Sequence, residues 1–251
     1  MVQELVTFEM PQVLPGGFHM PARMTVLPLG AGEVALVSPI RLDDTLAARV
    51  DALGRVRLLI APNLLHHLYL GDAAARWPEA RVVAPRGLAK KRPDLRIDAA
   101  WEDGAPPELS GFVRAVPIEG APTVDEVALY HEASRTLVLT DLVFHLRAPR
   151  GLVAHVALWL MGVHGKLAQS RAWRFFVRDR ARAAASARAL LELPFERLVV
   201  AHGEPVEADA RPALTRALSW MLSWMPSHAP GDGDVAPRAL PSPERPARLE
   251  R

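Results

Sequence analysis

The sequence predicts an α/β fold in which two sheets pack face to face with helices outside. Three observations predict it. Short apolar runs bounded by turn residues alternate with segments of helical periodicity. The order occurs twice, once in each half: antiparallel strands first, then strand–helix units. Three of the apolar runs stop in a side chain that can bind or move a proton: His66-His67 after Arg57-Leu58-Leu59-Ile60-Ala61-Pro62, Asp141 after Thr136-Leu137-Val138-Leu139-Thr140, and His202 after Arg197-Leu198-Val199-Val200-Ala201.

The elements follow in order. Met24-Thr25-Val26-Leu27-Pro28-Leu29 and Glu33-Val34-Ala35-Leu36-Val37-Ser38 flank Gly30-Ala31-Gly32 and read as a hairpin. Asp43 or Asp44 caps a helix over 45–53, which Gly54 ends. A strand over 56–60, a helix over 66–77 and a strand over 81–84 closed by Pro85 come next. Pro106-Pro107 marks a turn. Strands over 112–118 and 126–131 lead through the turn Glu132-Ala133-Ser134-Arg135 into the strand that ends at Asp141, and His131 is expected opposite Asp141 in that hairpin. Pro149-Arg150-Gly151 breaks the chain, and a helical insertion is expected over 151–193. The last strand, 198–201, precedes a helix opened by Asp209 and Pro212, with Leu214, Leu218, Met221, Leu222 and Met225 on one face. Residues 1–226 then form one domain. From 227 to 251 the composition is Pro, Gly, Ala, Asp and Arg, which predicts a disordered tail.

Composition narrows the function classes. Of 251 residues, 50% are apolar and 23% charged, enough to bury a large core. The absence of cysteine removes disulfides, thiolate metal sites and a cysteine nucleophile together, and fits a reducing, cytoplasmic setting. The N-terminus has no basic segment followed by an apolar core, so no secretory signal is expected. Net charge is only +2, and the arginines are scattered, without the clustering and interleaved aromatics a nucleic-acid surface needs. The longest apolar run, 152–163, is too short to span a bilayer. There is no GxSxG elbow, no Walker A loop, no GxGxxG after a strand and no HExxH.

Three imidazoles and a carboxylate at strand ends suit a divalent ion such as zinc, manganese or iron. Their order also carries a resemblance. The stretches Ala61-Pro62-Asn63-Leu64-Leu65-His66-His67-Leu68-Tyr69-Leu70-Gly71, Lys91-Arg92-Pro93-Asp94-Leu95, the run from Ser134 through Asp141 to Phe144, and Val200-Ala201-His202-Gly203 are similar to the metallo-β-lactamase superfamily, and in particular to its DUF4336 branch. The resemblance spans about 24–225 and implies a four-layered αβ/βα sandwich. It also implies that Pro62 and Leu64 stand where two metal histidines would be, and that Gly120-Ala121-Pro122-Thr123 lacks a third, so one of two metal sites is abolished. For the other site it implies the ligands His66, His67, Asp141 and His202 around one ion, with His66 replacing an aspartate. The alternative is a vestigial polar cluster without metal, in which Asp141 holds a protonated imidazole.

Neighbours on a regular helix diverge by about 100°, so His66 and His67 share an ion only if the strand-to-helix junction is irregular. Asn63, His131 and His145 are candidates for contact with a small-molecule substrate. Asn63 is otherwise a turn former, His131 a rim residue and His145 a support for the ligands. His155 and His164 either face the cleft from a lid or belong to a packed helix. The insertion mixes Leu158, Trp159, Trp173, Phe175 and Phe176 with arginines, which suits a cover, an amphipathic helix or a homodimer contact. The resemblance thus implies a metal-dependent hydrolase of a small ester, thioester, lactone or phosphate-like compound. A non-catalytic binding protein of the same fold and an oxygen-dependent iron enzyme are the competing readings.

Overall fold

The computed structural model describes residues 4–14, 18–147 and 152–224. The expected tail, Met225 and the break at 149–151 lie outside them. In chain order the elements are β1 (Val6–Leu14), β2 (Phe18–Pro28), β3 (Glu33–Val37), α1 (Asp44–Asp51), β4 (Arg55–Ile60), α2 (Leu70–Arg76), β5 (Arg81–Ala84), α3 (Arg86–Lys91), β6 (Ala99–Ala100), β7 (Val113–Ile118), β8 (Glu126–His131), β9 (Thr136–Leu139), β10 (Phe144–His145), α4 (Leu152–Met161), β11 (Leu167–Ala168), α5 (Trp173–Phe176), α6 (Arg180–Glu192), β12 (Arg197–Val200), α7 (Ala210–Ala217) and α8 (Ser219–Leu222). One sheet runs β1-β2-β3-β4-β5-β6, the other β12-β9-β8-β7, and β10-β11 form a small pair.

Side-chain alternation along the strands builds four layers. Ala35, Val37, Leu58 and Ile60 of the first sheet meet Ala115, Leu129, Val138 and Val199 of the second in a central apolar layer. The opposite face of the first sheet, with Leu36, Leu59 and Val82, packs on Ala47 and Val50 of α1, Leu70 of α2 and Leu88 of α3. The outer face of the second sheet, with Tyr130, Leu139 and Val200, packs on Ala187 and Leu190 of α6 and Leu214 of α7. The expected αβ/βα sandwich is therefore present. Val56 and Leu58 would share a face under strict alternation, but the register shifts between Val34 and Ala35 and skips Arg57. That bulge turns Val56 toward the helices and Leu58 toward the second sheet.

Five differences from the sequence reading matter. β1 is an added strand, paired with β2 from Val6–Val26 to Leu14–Phe18. The helix expected over 66–77 begins only at Leu70, because Asn63 holds the preceding turn. The helical insertion is interrupted: α4 is followed by Gly162, with φ 78°, and the chain then forms β11 before α5 and α6. His131 lies opposite Thr136 and not opposite Asp141, since the hairpin pairs Leu129 with Val138. The expected final helix is divided at Leu218 into α7 and α8, and the Asp209 side chain makes no capping bond; Asp43 caps α1 as expected by accepting from Leu46 N at 2.7 Å.

The topology gathers the site. β3 and β4 run parallel, as do β9 and β12. The residues just past their C-terminal ends, namely Ser38, 61–67, Thr140-Asp141 and 201–203, come to one edge of the sandwich, where open α/β sheets place their ligands.

Candidate metal centre

Asp141, His66 and His202 meet at that edge. His66 Nε2 lies 3.2 Å from Asp141 Oδ2, His202 Nε2 lies 3.4 Å from Asp141 Oδ1, and the two Nε2 atoms are 3.1 Å apart. Among the described residues this is the group of three or more His, Asp or Glu whose ligand atoms fall within reach of one ion.

Each member is held from behind. His202 Nδ1 donates to the carbonyl of Pro21 on β2 at 2.8 Å, which leaves Nε2 as the nitrogen facing Asp141. Phe144 stacks on the His202 ring with centroids 5.3 Å apart. Arg23, buried on β2, ties down the same loop: its Nε donates to Val200 O at 3.2 Å and its Nη2 to Gly203 O at 2.6 Å. His66 Nδ1 is hydrogen-bonded to Ser38 Oγ at 2.6 Å. Ser38 sits in the left-handed region at φ 53°, an uncommon conformation at the end of β3 that turns the chain directly beside the site.

Asn63 joins the two halves. It is fully buried. Its Oδ1 accepts from Leu65 N and His66 N, both at 2.8 Å. Its Nδ2 donates to Thr140 Oγ1 at 3.0 Å and to Asp141 Oδ2 at 2.7 Å. This Asx-type turn aims His66 and anchors Asp141 with one side chain. Its amide is wholly engaged inside the protein, between the 63–66 turn and Asp141.

Glu126, absent from the sequence reading, is also buried here. Its two oxygens accept from Thr140 N at 2.8 Å and Asp141 N at 2.9 Å. Burial, and then the Asp141 charge, push its pKa up to about 7. Burial acts on Asp141 in the same sense, but the His66 and His202 imidazoles outweigh it and hold Asp141 well below the usual carboxylate range. His202 is desolvated too, yet its bond to Asp141 leaves its pKa raised. Trp173 Nε1 of α5 donates to the Asp141 carbonyl, which fixes the backbone behind that carboxylate.

The other candidates lie elsewhere. His67 Nδ1 is 3.2 Å from Arg92 Nη1, and burial together with Lys91 and Arg92 lowers its pKa. That contact is with the residue that closes α3, and His67 is not among the three grouped residues. His131 is buried at the far end of β8, bonded to Ser134 Oγ and Pro28 O, so it has no route to a substrate at this edge. His145 Nδ1 donates to Glu204 O at 2.7 Å, and its ring lines a separate cavity. His155 and His164 bond each other at 2.8 Å.

The three-residue group fits a metal. One ligand atom from each residue can be chosen so that all three lie within 4.8 Å of one another, and the two Nε2 atoms, 3.1 Å apart, are close to the about 3.3 Å that tetrahedral bonds of about 2.0–2.1 Å set between neighbouring donors. Three protein ligands with a fourth position left over is the pattern of catalytic zinc sites.

The structure is similar to that of DIM-1 metallo-β-lactamase exposed to ceftazidime, with a TM-score of 0.59 at 13% identity, covering 86% of this chain and 93% of that one. It is similar to the metallo-β-lactamase FIM-1 from Pseudomonas aeruginosa in its mono-zinc form, with a TM-score of 0.54 at 11% identity, covering 88% and 93%. The chain has the metallo-β-lactamase fold. A metal-soaked flavodiiron core of Flv1 from Synechocystis sp. PCC6803 superposes as well, at TM-score 0.59 and 14% identity over 87% of this chain and 59% of that one. No protein-family profile and no curated protein matches the sequence. The residues that the sequence reading expects to lack ligands are tied into the fold by their backbones. Pro62 O accepts from Val127 N at 2.8 Å, Leu64 N donates to Val124 O at 2.9 Å, and the Leu64 side chain packs over Gly87. Gly120 O accepts from Arg178 N and Asp179 N, and Ala121 is buried. No helix of the described residues is long and apolar enough to cross a membrane.

Proposed function

We propose that this chain is a mononuclear metal-dependent hydrolase of the metallo-β-lactamase fold, acting on a small ester, thioester or lactone. His66, Asp141 and His202 hold one divalent ion, zinc by preference; iron and manganese accept the same donors. The observation that carries this reading is the convergence of two Nε2 atoms and a carboxylate at ligand spacing, with both Nδ1 atoms already engaged. Bound there, the ion supplies Lewis acidity toward a carbonyl. The chain's own part is to orient: Pro21 O and Ser38 set the imidazoles, and Asn63 and the backbone at 140–141 set the carboxylate. One carboxylate and two neutral imidazoles leave a divalent ion half-neutralised, which favours electron-rich oxygen at the remaining position. A DUF4336-like branch is the finer reading that the order of these stretches supports.

One observation favours a second reading. The resemblance implies three further metal histidines where Pro62, Leu64 and the stretch Gly120-Ala121-Pro122-Thr123 stand, which would suit a scaffold that gave up hydrolysis. Turnover separates the two. Zinc-loaded protein is assayed against chromogenic ester, thioester and lactone probes, beside Asp141→Ala. The hydrolase reading expects turnover of at least one probe class, with kcat/KM at least about 100-fold lower in Asp141→Ala. No turnover, or equal rates in both proteins, supports the scaffold.

A further inference from the structure

A cavity of about 650 Å³ lies between the β10–β11 pair, the loop before α5, and helices α7 and α8. None of His66, Asp141 or His202 lines it. Its wall carries Arg147, Lys166, Arg171, Arg174 and Arg216, with His145 beside them, and no aspartate or glutamate. Elsewhere many arginines are matched with acids, as in Arg76–Asp51, Arg81–Glu108, Arg92–Asp94 and Arg197–Glu207, while others such as Arg49 and Arg188 meet an aromatic ring or a carbonyl. At the cavity the one such pair is Arg147 with Glu204, at 3.5 Å. Among the described residues, Lys166, Arg171, Arg174 and Arg216 have no carboxylate partner.

Two of these cations are positioned by uncharged contacts. Arg171 lies against Gly162, where a Cβ would sit 3.2 Å from its Nε, and its Nη1 donates to Leu160 O at 3.2 Å. Arg174 lies over the Trp220 ring, 5.3 Å from its centroid. Both guanidinium groups are thus held in place with their charge uncompensated. A concave site lined by one sign of charge concentrates counter-ions of the other sign, and positioned guanidinium forks suit phosphate oxygens. Part of the wall is apolar, with Val206, Ala213 and Ala217. The volume is that of a small-molecule site.

We propose that this cleft binds a phosphate-bearing small molecule, independently of the metal centre. Its anionic end meets the Lys166, Arg171 and Arg216 side, and an apolar portion lies on the alanine-lined wall. The reading does not depend on the hydrolase assignment.

Calorimetric titration of the full chain with inorganic pyrophosphate tests it. Lys166 and Arg216 are exposed, so Lys166→Ala/Arg216→Ala leaves the core intact. Saturable binding is expected, weakened about tenfold or more in that double variant. It is expected to persist in Asp141→Ala, which removes a metal ligand, and in Lys90→Ala/Arg178→Ala, which removes two charges outside the cleft. Four results overturn the proposal: no pyrophosphate binding; equal weakening in the Lys90/Arg178 control; loss in Asp141→Ala with retention in Lys166→Ala/Arg216→Ala; or capture of a DNA oligonucleotide that pyrophosphate does not displace.

Discussion

Gly203→Ala is expected to destabilise the protein by about 3 kcal/mol or more. Gly203 has φ 112°, a region that side chains rarely adopt. A Cβ there would lie 2.0 Å from His145 O and 2.4 Å from His145 C. Those atoms are backbone, so no rotamer change relieves the overlap. Nor can the two segments simply separate. His145 N donates to His202 O at 3.0 Å, and Glu204 N donates to His145 O at the same distance. Moving them apart breaks both bonds and pulls His202 off the Pro21 carbonyl. Denaturant unfolding monitored by circular dichroism measures the effect; a loss below about 1 kcal/mol would show that this crossing is not rigid.

Asn63→Ala is the second large effect. It removes a fully buried side chain that makes four hydrogen bonds. Left behind are the amides of Leu65 and His66, the Thr140 hydroxyl oxygen and one oxygen of Asp141. Unsatisfied buried groups cost about 1–3 kcal/mol each, partly relieved by water, so a loss of about 2–4 kcal/mol is expected. The same change frees His66 and Asp141 to rotate. Groups that orient ligands are worth about 10–100-fold in metal affinity, and a chelator-competition titration of zinc is expected to show a drop in that range. Asn63→Asp sharpens the test. It keeps an acceptor for the two amides but sets a second carboxylate against Asp141, so it is expected to lose stability at neutral pH as well. Unchanged zinc affinity in Asn63→Ala would mean that the ligands are oriented by something other than Asn63.

The layers and most strand boundaries could be read from the sequence because strands buried on both faces appear as short continuous apolar runs between turn residues. β1 was legible in principle: Val6, Phe8 and Met10 alternate with Thr7 and Glu9, but Pro11 and the Pro15-Gly16-Gly17 sequence obscure the pattern. Glu126 was legible too. With the turn at 132–135 the hairpin sets Glu126, and not His131, beside Asp141, and a buried acid beside a ligand is a signal. The choice between His66 and His67 was not legible. It depends on an Asn63 turn and a Ser38 hydroxyl that come from different segments. Trp173 looked like part of a cover, yet it is buried and bonds the Asp141 carbonyl, a contact across 32 residues that no local pattern announces. Pro21 contributes only a carbonyl, which any residue carries.

The central claim is that His66, Asp141 and His202 together bind one ion. Elemental analysis of protein purified without chelator tests it most directly. About one divalent ion per chain is expected in the parent protein and in His67→Ala, and less than about a tenth of that in Asp141→Ala and His202→Ala. A metal-free parent protein, or full occupancy in Asp141→Ala, would contradict it.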